Sequence, residues 1–207
     1  MAEPEGADAE SVPAQPLSRA LVLRTARAQL EREGVDGISL RAVARELGVT
    51  APALYLYVQD KADLLAGVAT EHFERLAERF ESVPEGEPLE RVRALSRAYV
   101  EHARSSPALF RLMFRYPPTA LPEVDAFAPA TRAFDVAARA TADAIDAGLL
   151  QVTDPDEANI TMWCAVHGVA EVLLMGFAAD EEAATALIDR VIDTVLAGQG
   201  RSLATEA

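Results

Sequence analysis

One lysine, Lys61, and one cysteine, Cys164, occur in the 207 residues of this chain. A lone cysteine excludes a disulfide framework within the chain and suits a reducing compartment. Bases are scarce: 19 stand against 33 acids, for a net charge of −14, so no uniformly basic surface for nucleic acid is possible. Residues 1–15, MAEPEGADAESVPAQ, hold four acids and no base. They also lack the basic start and apolar centre of a signal peptide, so residues 1–16 are expected to form a disordered acidic tail. Alternating runs of β-branched residues are missing, while Ala, Leu, Arg and Glu dominate, and the fold is expected to be all-α. Neither an internal repeat nor a low-complexity tract interrupts the chain beyond its tail.

What is present is unevenly placed. Half of the residues are hydrophobic, enough for a sizeable core. Residues 16–65 carry seven bases against six acids, whereas residues 66–207 carry 12 against 23, so only the N-terminal third escapes the acidity. This asymmetry suits an anion-binding head on an acidic body. Ser18 is placed to cap a first helix that Gly34 ends, Ser39 a second that Gly48 ends, Thr50 a third running to about Tyr57, and Asp60 a fourth running to about Phe80. The Pro- and Gly-bearing segment 82–88 reads as the boundary between head and body. Body helices are expected near 89–104, 107–115, 122–147, 155–178 and 182–197, with Pro129 kinking or splitting the third of them.

The stretch from Ser39 to Asp63, SLRAVARELGVTAPALYLYVQDKAD, is the most informative in the chain. Two short helices separated by a glycine turn, with Val43, Ala44, Leu47, Val49 and Leu54 spaced to pack them, form a helix-turn-helix. Such a motif places one helix in the major groove of double-stranded DNA. At the start of that helix stand Thr50, Ala51, Pro52 and Ala53, small groups that allow close approach to base edges and offer apolar contact to a thymine methyl. Lys61 and Arg41 each lie in the first turn of a helix, where a cation opposes the helix dipole unless a phosphate is near. Arg45 is either a DNA contact or the ion-pair partner of Glu46 or Glu31. The order Gly48, Val49, Thr50, Leu54, Tyr55, Tyr57, Val58, Lys61, Leu64 resembles the tetracycline-repressor (TetR) family of transcriptional regulators, over residues 18–65, with Val58 where most members carry Phe. That resemblance implies a helix-turn-helix DNA-binding domain over residues 17–65. It also implies a DNA-contacting set of Ser39, Arg41, Arg45, Thr50, Ala51, Pro52, Ala53, Tyr55, Tyr57 and Lys61, with Tyr55 on a backbone phosphate.

Residues 82–200 then read as a helical effector-binding and dimerisation domain. Residues 160–179, ITMWCAVHGVAEVLLMGFAA, are long enough to span a membrane, but His167 and Glu171 fall in their middle and no basic cluster flanks them. A helix packed between protein surfaces is the expected state, with a homodimer through the helices near 155–178 and 182–197 supplying the second surface. Trp163, His167 and Gly168 resemble the W-x-x-x-H-G signature of one C-terminal domain type among TetR-like regulators, and Gly168 is expected to serve close helix packing. Cys164 and His167 fall short of a metal site, and no third group orients them for catalysis, so neither a metal, an organic cofactor nor an enzyme is expected. Aromatic residues cluster in the body, and Phe110, Phe114, Phe134, Trp163 and His167 are the candidates for a pocket that takes an unidentified small-molecule effector. The expectation is therefore a cytoplasmic, homodimeric repressor released from a palindromic operator by a small molecule. The alternatives are a DNA-binding regulator without a ligand, a membrane-attached helical protein, or an enzyme.

Overall fold

The computed structural model describes residues 16–115 and 128–200. The described residues form nine helices: α1 (Arg19–Gly37), α2 (Leu40–Glu46), α3 (Ala51–Leu54), α4 (Lys61–Glu81), α5 (Pro88–Ser105), α6 (Pro107–Arg115), α7 (Ala128–Asp146), α8 (Pro155–Leu174) and α9 (Glu181–Gln199). Side-chain oxygens satisfy the first free N–H groups of several. Ser18 Oγ accepts from Leu21 N at 3.2 Å, Ser39 Oγ from Ala42 N at 3.1 Å, and Asp60 Oδ1 from Asp63 N at 2.8 Å. Asp154 and Asp180 do the same for α8 and α9. At Gly34 the backbone turns to φ 73°, so the regular part of α1 stops there.

Two expectations change. The third helix ends at Leu54; the carbonyl of Leu54 then accepts from both Tyr57 N (2.9 Å) and Val58 N (3.0 Å), closing a tight turn before Tyr57. Pro129 does not interrupt the described helix α7: it is the second residue there, where a missing N–H leaves nothing unpaired. The earlier part of the stretch 122–147 lies outside the described residues.

Buried apolar residues form two clusters. The head core joins Val22, Leu23, Ala26 and Leu30 of α1 with Val43 and Ala44 of α2, Leu54, Val58, and Leu64, Leu65, Val68 and Ala69 of α4. It also includes Leu109 and Leu112 of α6, both fully buried. The body core begins at Leu76 of the same α4 and takes in α5, Phe110 and Met113 of α6, and the inner faces of α7, α8 and α9. The packing boundary between head and body therefore runs through α4, not through the loop 82–88 that its prolines and glycine suggest. Between the two clusters, His72 of α4 stacks on His102 of α5 with ring centroids 4.1 Å apart. They are 3% and 4% exposed, and both nitrogens of His72 and Nε2 of His102 lack any hydrogen-bond partner. Burial, with the second imidazole next to it, pushes His72 down to about 3; burial and the Arg79 guanidinium push His102 down to about 4.

Candidate DNA-binding surface and body cavity

Gly48, at φ 68°, makes the turn that lets α3 cross α2. Beyond it, Thr50 is exposed, and its hydroxyl does not cap α3, which leaves that group to an external partner. Ala51 and Ala53 are half-buried and Pro52 is exposed, so the face of α3 is as small and apolar as its sequence implies. Tyr55 is exposed, and Leu56, which no sequence signal singles out, is 82% exposed. Tyr57 belongs elsewhere: it is half-buried, and its hydroxyl donates to the Leu17 carbonyl at 3.0 Å, tying the start of α1 to the end of the motif. Tyr57, expected among the DNA contacts, thus faces away from Tyr55 with its hydroxyl engaged inside the chain. Ser39 likewise spends its oxygen on the cap of α2.

The cations sort into two groups. Arg32 and Gln29 both donate to Glu46, which holds that carboxyl below its ordinary range, and Arg19 does the same for Asp63. Glu46 is thus engaged away from Arg45. Arg41 and Arg45, one helical turn apart on α2, are exposed and form no ion pair among the described residues. Lys61 is also exposed, but its Nζ donates to the Val35 carbonyl at 3.2 Å. A cation unfavourably placed at the start of α4 thereby meets the carbonyl-rich end of α1, which offsets the dipole cost without any phosphate.

In the body, α4, α5, α6, α7 and α8 line a cavity of about 480 Å³ that opens to solvent beside Ile160 and Trp163. Phe114, Phe134 and Trp163 line it, as the aromatic clustering suggests. Phe110 does not: it is fully buried behind the wall, edge-on to both Tyr99 and Phe114, because the apolar face of α6 turns it into the core. His167 is also set back, among the rings of Tyr99, Phe110, Phe114 and Trp163. Trp163 Nε1 donates to Tyr99 Oη at 3.0 Å, and Tyr99 Oη lies 2.9 Å from His167 Nδ1. With the indole able only to donate, the Tyr99 hydrogen is assigned to Nδ1 and the imidazole proton to Nε2. Burial holds His167 below the usual histidine range and raises Tyr99 well above its own. Sequence reasoning misses Tyr99, since 64 residues separate it from Trp163 and its only signal is a polar tip on the apolar face of α5. It also misses Phe73, Phe80, Ser96, Thr141 and Asn159, which belong to the lining.

With this geometry in place, likeness to known proteins becomes informative. Residues 22–68 match the bacterial regulatory proteins of the tetR family, and residues 92–195 match the tetracyclin repressor-like C-terminal domain. The chain belongs to the tetR family. It is similar to the HTH-type transcriptional repressor KstR of Rhodococcus jostii, 30% identical over 110 residues that cover 53% of this chain and 52% of that one. It is also similar to the HTH-type transcriptional regulator Rv1816 of Mycobacterium tuberculosis, 31% identical over 137 residues, 63% and 56% of the two chains. The chain spans about half the length of the curated relatives it matches. Among solved structures, a protein with unknown function from Rhodococcus sp. RHA1 superposes with a TM-score of 0.80 at 27% identity, covering 92% of this chain and 100% of that one. A TetR/AcrR-family regulator from Thermobifida fusca shares the fold, with a TM-score of 0.68 at 22% identity over 88% and 98%. Among the described residues of this tetR-family chain, no helix is long and apolar enough to cross a membrane.

Proposed function

We propose that this chain is a DNA-binding transcriptional repressor that acts in the cytoplasm as a homodimer on a palindromic operator and leaves it when a small molecule fills the body cavity. The observation that carries the reading is the exposed surface at Thr50, Tyr55 and Leu56, with the two unpaired arginines Arg41 and Arg45 on α2. Phosphate contacts from such groups position a head on the duplex, and small residues on α3 read base edges by shape and apolar contact. One head offers few specific contacts, so affinity comes from two heads held at the spacing of two half-sites.

The outer face of α8 supports the second copy. Cys164 and Gly168 lie one turn apart on it and are both exposed. A glycine inside a helix costs about 1 kcal/mol against alanine, yet a Cβ at Gly168 would meet nothing within 4 Å in its own chain. Close packing, expected of Gly168, is therefore not supplied by the chain itself, and a partner helix supplies it. On α9, Leu187, Val191 and Val195 form a half-buried stripe that extends this surface.

Phe73, Leu76 and Phe80 of α4 line the cavity, while Leu64, Leu65 and Val68 of the same helix hold the head. A ligand that moves the cavity wall therefore moves the head, and DNA and ligand oppose each other through that shared helix. The test is fluorescence anisotropy of labelled DNA from the region upstream of the gene, against unlabelled competitor. Retention of the complex in excess unrelated DNA, lost when one half-site is scrambled, is the expected result. Equal competition by any duplex would overturn the proposal.

A further inference from the structure

We infer that the body cavity takes an uncharged, largely apolar molecule with one or two hydrogen-bonding oxygens, such as a long-chain alcohol or ketone, and discriminates against a carboxylate of the same length. This rests on the reading of the cavity as a ligand site and names the chemistry of what enters it.

None of the 20 described lining residues is Asp, Glu, Lys, Arg or His. The wall is aliphatic and aromatic, with Phe73, Phe80, Phe114, Phe134 and Trp163 among its members. An ionised group drawn between such side chains loses its water and finds no counter-charge. His167, the nearest titratable ring behind the wall, adds no cation, because burial holds it neutral and Tyr99 occupies its Nδ1. Trp163 Nε1, Tyr99 Oη and His167 Nδ1 spend their hydrogen bonds on one another, so Tyr99 and Trp163, the two of the three that line the cavity, present aromatic faces to it.

Three polar residues of the lining are different. Ser96, Thr141 and Asn159 are each more than nine-tenths buried, yet all three face the cavity. Ser96 makes no hydrogen bond among the described residues, and Asn159 makes only one, from Nδ2 to the Phe134 carbonyl at the long distance of 3.5 Å. Neither Ser96 Oγ nor Asn159 Oδ1 is sealed inside protein, so both are open to a ligand. Thr141 donates to the Ala137 carbonyl at 3.0 Å and keeps acceptor capacity. Buried polar groups are normally paired; a hydroxyl or carbonyl on an apolar body pairs these. A molecule with no polar atom leaves them bare, and an anion meets no cation.

Trp163 is the only tryptophan in the chain and lines the cavity, so its fluorescence reports occupancy directly. The full chain at pH 7.5 is titrated with 1-decanol, 2-decanone and decanoate. Saturation by the alcohol and ketone at concentrations at least about thirtyfold below decanoate is the expected result. In Asn159→Leu, with its helicity checked by circular dichroism, the affinity for 1-decanol falls about tenfold. Decanoate binding as tightly as the alcohol would place its charge at the first turn of α7, where Ala130 and Thr131 line the wall, and would overturn the inference. So would the absence of a signal from all three probes. If 1-decanol binds and the DNA complex survives, the release mechanism fails while this assignment stands. If decanoate alone binds and releases the DNA, the reverse holds.

Discussion

Acidification from pH 7 to pH 5 should remove about 4 kcal/mol of folding stability through the His72–His102 stack alone. Both rings are neutral when folded, with values near 3 and 4, and both take an ordinary value of about 6.5 once the chain unfolds. The folded values lie below the unfolded ones, so the stabilisation is complete above 6.5 and is lost as pH falls from there toward 4 and 3. At pH 5 each unfolded histidine has gained a proton that its folded counterpart refuses, worth about 2 kcal/mol per ring relative to pH 7. That figure requires only that the folded values lie well below 5. A chain of this kind has about 5–15 kcal/mol in total, so the loss is a large part of it. The assay is urea unfolding followed by far-ultraviolet circular dichroism at both pH values. Wild type is compared with the double variant His72→Phe, His102→Phe, which keeps two stacked rings and deletes three unpaired nitrogens. At pH 7 the variant should match or exceed wild type, since bare buried nitrogens give way to carbon. Between pH 7 and 5 it should lose about 4 kcal/mol less than wild type. His167, depressed by burial, and Glu71, raised by it, contribute with opposite signs and cancel in the comparison. An equal loss in both proteins, or proton resonances of His72 and His102 that titrate above pH 5, would refute the reasoning.

Tyr99→Phe strips Trp163 Nε1 and His167 Nδ1 of their partner; it should cost about 1–2 kcal/mol, lower Tm by a few degrees in a thermal melt, and raise the His167 pKa seen by NMR. Arg41→Ala and Arg45→Ala should each reduce the slope of log Kd for operator DNA against log salt by about 0.9, if each holds one phosphate. Lys61→Ala should change that slope less and cost the head up to about 1 kcal/mol, because its Nζ serves the Val35 carbonyl; a full-sized slope change in anisotropy titrations would restore it to the DNA surface. Gly168→Ala should weaken the dimer and Gly168→Leu should split it in sedimentation equilibrium; a dimer unaffected by leucine there would remove α8 from the interface.

Much of the fold is legible because its signals are local. Ser18, Ser39, Asp60, Gly34 and Gly48 act within a few residues of themselves, and each starts or stops its helix where its chemistry requires. The small, exposed face of α3 is legible for the same reason, whereas the placement of Tyr57 is not. Whether a tyrosine in a short turn faces out or in depends on the Leu17 carbonyl 40 residues away, and nothing near Tyr57 encodes that. The fate of Lys61 was hidden in the same manner, by a carbonyl 26 residues away at the end of α1. In the body, helix periodicity identifies an apolar face but not which aromatic residue of that face meets the void. Phe110 and Phe114, one turn apart on α6, divide between core and cavity only once α5, α7 and α8 surround them.

The participation of Leu109 and Leu112 in the head core has a consequence for recombining such proteins. A fragment cut at the loop after α4 would contain the whole reading surface and yet leave the apolar faces of α1 and α4 uncovered, since the leucines that seal them arrive some 30 residues later in the chain. A head grafted at that loop onto a foreign body would meet a stranger's α6 at this seam. The portable unit is therefore discontinuous: residues 16–81 together with 107–115, and chimeras that respect this pairing should express and melt as one body where cuts at residue 82 give aggregates.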